Sequence, residues 1–558
     1  MKKILLIAPA SESAIPLYNA HNLPFLQKKG LMVPLHIATI AALTPDDIEV
    51  DLWDEAVDAF ICEETKFEKE YDLVGVTGMS NQIARAKEIA RVFRSRGIPV
   101  VIGGPGVSAA PEKCRNDFDV LFIGEGEGIW LEFIDDFRKG SYRKEYREVS
   151  PPDMSHSPIP RWGRLAGSLR SGYLMGAIQT TRGCPFTCEF CTVWQVSGRQ
   201  MRLKPVERVV EEIKLLEKLE VADIFICSDN FIGNPRYAKE LLQAIIEVNR
   251  TFAKPMKFLA EITLNISHME DMLCLLSEAN FKTILIGLES PSVDSLKEIR
   301  KVQNLRGDMA RNCKKVMSHG IIISGSMIVG FDNDTTDIFD QHFNFLQEAC
   351  IPHPQVHILK AIDGTDLLKR FSKEGRILDY STELFWGTVH PQLKTNIIPK
   401  QMTRAELLSG YLRLKERLFD WENFAARTIG FILNLKDKVE VSEFVGKELT
   451  GFLDEKEERT ISGILESLSK SSKAREAIYR ILSVTKDCAP WMVREIVRLV
   501  VKQHLEASGL VLLRESVNKQ IEYEAAMDIR KFVEKPHQLN IIESQTKVGL
   551  YSSLCDLP

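Results

Sequence analysis

The chain has 558 residues, too many for one hydrophobic core and enough for about three domains. Apolar residues make up 44% and charged residues 27%, which excludes a disordered chain. A net charge of −5 excludes an overall basic field that would recruit nucleic acid or anionic lipid.

The N-terminus, MKKILLIAPA, has two lysines and a short apolar run that stops at Pro9. A signal peptide would carry a longer apolar core and a small-residue cleavage site. The run reads as a first β-strand. No apolar stretch reaches the roughly 20 residues needed to span a bilayer, so a cytoplasmic protein is expected. Up to about Lys139, the strand-like runs KKILLIAP, IEVDLWD, DLVGVTG, IPVVIGG and VLFIGEG end in Gly, Pro or acidic turn residues. VPLHIATIAALTP and NQIARAKEIARVFRSRG have helical spacing, and the second stops at a glycine. Such alternation predicts an α/β unit over residues 1–140, an open parallel sheet with helices on both faces. Ligands of these sheets bind beyond the carboxyl ends of the strands. Those ends carry Thr77, Gly78 and Ser80, then Gly103 and Gly104, then Gly124, Glu125 and Glu127.

SPPDMSHSPIPRW, rich in Pro and Ser, reads as a linker within residues 141–171. Over residues 172–386 the alternation resumes. Strands are expected at MGAIQTTR, DIFICSD, KFLAEIT, TILIGLES, IIISGSMIVGF and PQVHILK, with helices such as PVERVVEEIKLLEKL between them. Six βα units with parallel strands predict a partial (β/α)6 barrel rather than a closed one. From residue 387 to 558 the chain is helical and charged; TRAELLSGYLRLKERLFDWENFAARTIGFILNL and KAREAIYRILSV are amphipathic. WMVREIVRLVVKQHLEASG is another such stretch. A core helix is the expectation there, and a peripheral membrane-facing helix is the alternative.

The chemistry concentrates in TTRGCPFTCEFCTVW, which directly follows the first barrel strand, at the end of the barrel where such folds place active sites. Eight other cysteines are scattered singly, as in a protein without a disulfide framework. Cys184, Cys188 and Cys191 are spaced C-x3-C-x2-C. Structural zinc needs four ligands, and the nearest further candidates are His156, in the linker, and Cys227, on a predicted strand. Three thiolates can hold three irons of a 4Fe–4S cube and leave the fourth iron open; an electron-transfer cube normally takes four cysteines.

RGCPFTCEFC resembles the signature of radical S-adenosylmethionine (SAM) enzymes, and the six βα units resemble their partial barrel. The resemblance implies that the open iron takes the amino and carboxylate groups of SAM, whose reductive cleavage gives a 5′-deoxyadenosyl radical. It implies SAM contacts at Phe190, before the third cysteine, and at Ser228, Asp229 and Asn230 in CSDNFIGN. It implies further contacts at Glu261 and Glu289, and at Gly325 and Gly330 in GSMIVGF. Read without the resemblance, a glutamate at a strand end is a helix cap or ion-pair partner, and the two glycines serve close packing or a bulge.

The open sheet lacks the G-x-G-x-x-G dinucleotide fingerprint after its first strand. Placed before such a barrel, it resembles the cobalamin-binding, Rossmann-like domain of the cobalamin-dependent subclass. That resemblance implies that Thr77, Gly78, Ser80, Gly103, Gly104, Gly124, Glu125 and Glu127 line the nucleotide tail and corrin edge, where missing side chains allow close approach. The cobalt-ligating D-x-H-x-x-G motif is absent: DLWDEAVDA has no histidine. His36 stands where relatives usually carry glycine; a satisfied core histidine is the expectation. EIRKVQNLRGDM, KAIDGTDLLKRFSKEGRIL and the helical tail resemble the hopanoid-methylase branch.

The implied cofactors are a 4Fe–4S cluster, SAM and cobalamin. The implied activity is C-methylation of an unactivated carbon in a small-molecule or lipid substrate, served by a reducing partner such as a flavodoxin or ferredoxin. A cobalamin-dependent radical SAM cyclase or ring-rearranging enzyme is the alternative. A non-enzymatic cobalamin sensor is a third reading, though a sensor would need no three-cysteine cluster.

Overall fold

The computed structural model describes residues 2–10, 30–165, 172–379, 391–436 and 471–533. The expected boundary at 386 and 387, the end of the linker at 166–171 and Cys555 lie outside the described residues.

The five expected N-terminal strands form as β1 (Lys3–Ala8), β3 (Glu49–Asp54), β4 (Leu73–Thr77), β5 (Val100–Gly103) and β6 (Val120–Ile123). A sixth, β7 (Glu145–Arg147), lies in the segment read as linker. The sheet is parallel throughout, in the order β3-β1-β4-β5-β6-β7. Most of β1, β4 and β6 is apolar and buried on both faces, as a two-sided parallel sheet requires. Ile37, Ala41, Trp130 and Phe133, on helices Leu35–Leu43 and Gly126–Lys139, cover one face. Ala86, Ile89 and Phe93, on helix Ile83–Ser95, cover the other. The strand order reverses between β1 and β4, which opens a crevice at the carboxyl ends.

All six expected barrel strands are present: β8 (Tyr173–Ile178), β11 (Asp223–Ile226), β12 (Lys257–Ala260), β13 (Thr283–Glu289), β14 (Ile322–Val329) and β15 (His353–Ile358). They run parallel in chain order, and the bridges Phe258–Phe281 and Glu261–Leu285 join β12 to β13. This sheet also carries a strand that was not expected. β2 (Gly30–Met32), between β1 and the first helix, adds parallel to the outer edge of β8. The N-terminal unit thus donates a strand to the barrel. Tyr173 Oη reinforces the junction by donating to Asp54 Oδ2 at 2.7 Å. Burial pushes the Asp54 carboxyl up to about 6.

The tail is helical, as expected: Arg404–Leu418, Trp421–Leu433, Ser472–Cys488 and Val493–Ala525. The last contains WMVREIVRLVVKQHLEASG from Val493 onward. Ile496, Leu499 and Val500 are buried in the barrel's core, and Glu495 pairs with Lys257 at the start of β12 (2.5 Å). Farther along, Glu524 receives Arg404 (2.8 Å). The apolar face is occupied by protein, so this is a core helix and not a membrane-facing one. Among the described residues, no helix is long and apolar enough to cross a membrane.

Candidate active site

After β8 the chain forms a two-stranded antiparallel ribbon, β9 (Thr181–Arg182) with β10 (Arg202–Leu203), and the thiol loop is the excursion between them. Gly183 opens it at φ +95°; a Cβ there would lie 2.5 Å from Gln200 O, so the turn admits only glycine. Gly183 N donates to Asp229 Oδ2 (2.7 Å), which ties the loop to the end of β11. Cys184 N donates to Gly198 O and Cys191 N to Cys188 O, both at 3.1 Å. Trp194 Nε1 donates to Cys188 O (3.2 Å), and Gln303 Nε2 lies 3.8 Å from Cys188 Sγ.

The three thiols lie within electrostatic reach of one another. Burial pushes Cys184 up and Cys191 up to about 12, so near neutrality these are thiols until a metal displaces the proton. Among the described residues, no set of three His, Cys, Asp or Glu side chains converges on a single ion. Three neighbouring thiols can serve a polynuclear cluster, each binding its own metal atom, whereas structural zinc takes four ligands.

Four further groups converge on this mouth. Lys301, buried, donates to Glu289 Oε1 (2.7 Å) and sits 5.8 Å from the Phe190 ring centre. Burial opposes the Lys301 charge, but Glu289, Cys188 and Cys191 outweigh it and hold its pKa above the usual value. Glu289 follows a bulge in β13 and has φ +64°, a conformation side chains rarely adopt. Glu261 is exposed on the lumen side yet enclosed by protein; burial first, and then Asp229, pushes it up to about 7. Burial raises Asp229 as well. Ser228 Oγ bonds Thr180 Oγ1 (2.6 Å), and Asn230 Oδ1 accepts from Thr263 (3.4 Å). Gly330, φ +108°, donates its N–H to Asp334 (2.8 Å). Gly325 stands apart: a Cβ there would point at Leu288 and Ile351, on the helix side of β14.

Two ion-pair hubs hold the loop. Arg370 spans Glu189 by two bonds (2.7 and 3.0 Å), reaches Glu298 (3.1 Å) and contacts Asp332. On the other side, Arg182 contacts Glu125 and Glu127 of the N-terminal sheet, and Arg202 donates to Glu125 (2.7 Å). Arg182 immediately precedes Gly183-Cys184. The GEGE segment is thus bonded directly to the thiol loop. A cleft of about 270 Å³ lies at this junction, lined by Ser108, Gly124, Arg147 and Glu148 from the sheet and by Thr192, Gln195 and Val196 from the loop. Glu148 Oε1 is buried there without a hydrogen-bond partner.

The glycines at the sheet edge pack against protein. A Cβ on Gly104 would lie 2.8 Å from Gly78 O, on Gly103 3.2 Å from Phe122 Cβ, and on Gly124 2.4 Å from Glu148 Cβ. The missing side chains let the loops close on each other, with Thr77 and Ser80 flanking. His36 is not the satisfied core residue expected. It is exposed at the start of its helix and has no hydrogen bond among the described residues; enclosing protein lowers its pKa to about 4. In DLWDEAVDA, Asp54 serves Tyr173, and Glu55 receives Arg85 (2.6 Å).

A radical SAM superfamily model matches residues 178–346, a B12 binding domain matches 26–134, and a domain of unknown function (DUF4070) matches 365–507. Hopanoid C-2 methylase of Rhodopseudomonas palustris (strain TIE-1) is 30% identical over 383 residues, covering 68% of this chain and 71% of that protein. The chain belongs to the cobalamin-binding radical SAM enzymes. As a member it uses a 4Fe–4S cluster, SAM and cobalamin, which fits the thiol loop, the acidic barrel mouth and the cleft between loop and sheet. The anaerobic magnesium-protoporphyrin IX monomethyl ester cyclase of Rubrivivax gelatinosus is 22% identical over 376 residues, 62% of this chain and 66% of that one. The structure of the cobalamin-dependent SAM radical enzyme OxsB, with aqua-cobalamin and SAM bound, shares the fold at a TM-score of 0.57. That match has 14% identity and covers 96% of this chain and 85% of that one.

Proposed function

We propose that this radical SAM enzyme is a C-methyltransferase acting on an unactivated carbon of a small-molecule or lipid substrate. One observation carries the reading: the thiol loop and the carboxyl edge of the N-terminal sheet meet across one cleft, joined by Arg182 and Arg202. The 30% identity to a methylase supports it. When bound, SAM on the reduced cluster supplies a radical that takes hydrogen from carbon, and cobalamin supplies the methyl group.

The chain positions these groups and excludes water. Cys184, Cys188 and Cys191 would each bind one iron. Asp229, Glu261 and Glu289 supply negative charge to the amine and sulfonium of SAM, with Ser228 and Asn230 as polar neighbours. Phe190 packs 6.5 Å from Phe331 and shields the loop, while Gly330 and the β14 backbone beside Gly325 back the adenine. Thr77, Gly78, Ser80, Gly103, Gly104 and Gly124 form the backbone platform for cobalamin. Glu125 and Glu127 act through Arg182, holding platform and loop together. Glu148, with its unpartnered buried oxygen, would accept a hydrogen bond from the bound corrinoid. The electron comes from a reducing partner of the flavodoxin or ferredoxin type.

Ring formation without methyl transfer is the second reading, favoured by the likeness to the cyclase. Reduced holoprotein given SAM separates the two. A methyltransferase forms S-adenosylhomocysteine together with 5′-deoxyadenosine, whereas a cyclase forms 5′-deoxyadenosine alone.

A further inference from the structure

The three thiols of the loop do not meet the same kind of donor. Backbone N–H groups serve two of them, that of Phe186 at Cys184 and that of Val193 at Cys191. Cys188 differs. Its carbonyl accepts from Cys191 N (3.1 Å) and Trp194 Nε1 (3.2 Å), but its sulfur faces a side chain, Gln303 Nε2, at 3.8 Å. Gln303 is 9% exposed and Cys188 7%, so no bulk water competes for that contact.

Gln303 is 115 residues away in the chain and is held in place from three sides. It lies on a short 3-10 helix, Val302–Leu305, which turns Val302 outward and Gln303 inward. Lys301 donates to Glu289 (2.7 Å), and Asn304 Nδ2 donates to Gly287 O and Leu288 O (both 2.9 Å), which fixes the turn to the end of β13. From the thiol loop, Glu189 N donates to Ile299 O (3.0 Å) just before it. The same segment thus grips β13 and the residue next to Cys188.

A sulfur bound to iron carries no proton, so the amide can meet it only with its N–H end. Hydrogen bonds to the sulfurs are among the quantities that set the reduction potential of an iron–sulfur cluster. A donor favours the reduced cluster, which carries one more negative charge, over the oxidised one. Lys301, the cation nearby, is already paired with Glu289, whereas the Gln303 N–H has no other acceptor among the described residues.

We infer that Gln303 is a positioning residue that acts on the cluster through Cys188: its amide N–H bonds the iron-bound sulfur and raises the cluster's reduction potential. The step it eases is the passage of one electron from the reducing partner to the oxidised cluster; no bond forms or breaks at Gln303. The inference rests on the reading of Cys184, Cys188 and Cys191 as the iron ligands.

The test is a redox titration, monitored by electron paramagnetic resonance, of the anaerobically reconstituted full-length protein without SAM. Wild type is compared with Gln303→Leu and Gln303→Met, which lack the donor, and iron and sulfide are measured on each. At a fixed potential each variant should show a reduced-to-oxidised ratio at least about threefold smaller, a midpoint lower by about 28 mV at about 59 mV per tenfold for one electron. A second measurement needs no variant. Wild type carrying ¹⁵N only in its glutamine side-chain amides should show a ¹⁵N hyperfine coupling to the reduced cluster. A smaller fall or a rise in midpoint in a variant with an intact cubane, or no such coupling in wild type, would overturn the inference and leave the ligand assignment standing. A wild-type protein that assembles no cubane would defeat the ligand assignment and this inference together.

Discussion

Arg370 makes a test of how the thiol loop is held. Its guanidinium faces four carboxylates: those of Glu189, Glu298 and Asp332, whose side chains are 9–11% exposed, and, at 3.8 Å, that of Glu374; Arg370 itself is 29% exposed. Glu189 lies between Cys188 and Phe190, so this hub fixes the loop directly. Removing one partner of a fully buried pair costs about 3–5 kcal/mol, and exposed pairs are worth about 0.2–1 kcal/mol. With Arg370 partly solvated and Asp332 still held by Arg376, Arg370→Ala should cost the loop about 2–3 kcal/mol. That corresponds to roughly 30- to 150-fold faster opening-limited hydrogen exchange in a peptide covering residues 184–194. The effect should depend on pH with a definite sign. Burial pushes Asp332 up, but bonds from Arg376 and Arg370 outweigh it and hold its pKa below the usual range. Stability from a depressed carboxylate is present above its unfolded value, near 4, and is lost as pH falls through the folded value. The difference between wild type and variant should therefore be full at pH 7 and shrink below about pH 4, once exchange is normalised to intrinsic rates. A change under about threefold at pH 7, or one that grows on acidification, would refute the reasoning.

The other expectations concern the cofactors. Cys188→Ala should lose the cluster absorbance and most of the iron while keeping its corrinoid; iron and cobalt analysis of anaerobically reconstituted protein checks this. Arg182→Ala should release cobalamin about tenfold more readily on gel filtration, since it leaves Glu127 without its ion pair and halves the clamp on Glu125. A variant that kept its corrinoid would show that Arg202 alone suffices. Glu261, pushed up to about 7, is largely protonated below that pH. SAM affinity should therefore rise between pH 6 and pH 8, by at most about tenfold per unit, and Glu261→Gln should flatten the profile in equilibrium dialysis. A profile unchanged by the substitution would remove Glu261 from the site.

The regular parts of this molecule were legible because they are local. Strands such as VLFIGEG and TILIGLES are apolar runs with turn residues behind them, and burial on both faces of a parallel sheet makes that pattern strong. β2 and β7 were missed because they are three residues long and EYR has no apolar period. Their strandedness comes from a neighbour's edge. The C-terminal stretch starting at Trp491 reads as a core helix, with a membrane-facing helix as the alternative. The choice is made by Lys257, which donates to Glu495 on the buried face, and no window of sequence contains both.

The site divides the same way. Three cysteines at close spacing announce their chemistry. Arg182, Arg202, Arg370, Lys301 and Glu148 do not, because a charge acquires meaning only from a partner far along the chain. Arg182 could have been suspected from its place beside Gly183-Cys184. His36 was misjudged because a histidine amid apolar neighbours normally packs inward, whereas here it keeps accessible surface at the start of its helix while protein encloses it.

The central claim is that three protein thiols leave one iron for SAM. Electron–nuclear double resonance of the reduced cluster, with SAM labelled with ¹⁵N at its amino group, tests it most directly. A hyperfine coupling to the labelled nitrogen, lost in the Cys188→Ala protein together with the cluster, is the predicted result. An intact reduced cubane that shows no coupling at saturating SAM would contradict the account.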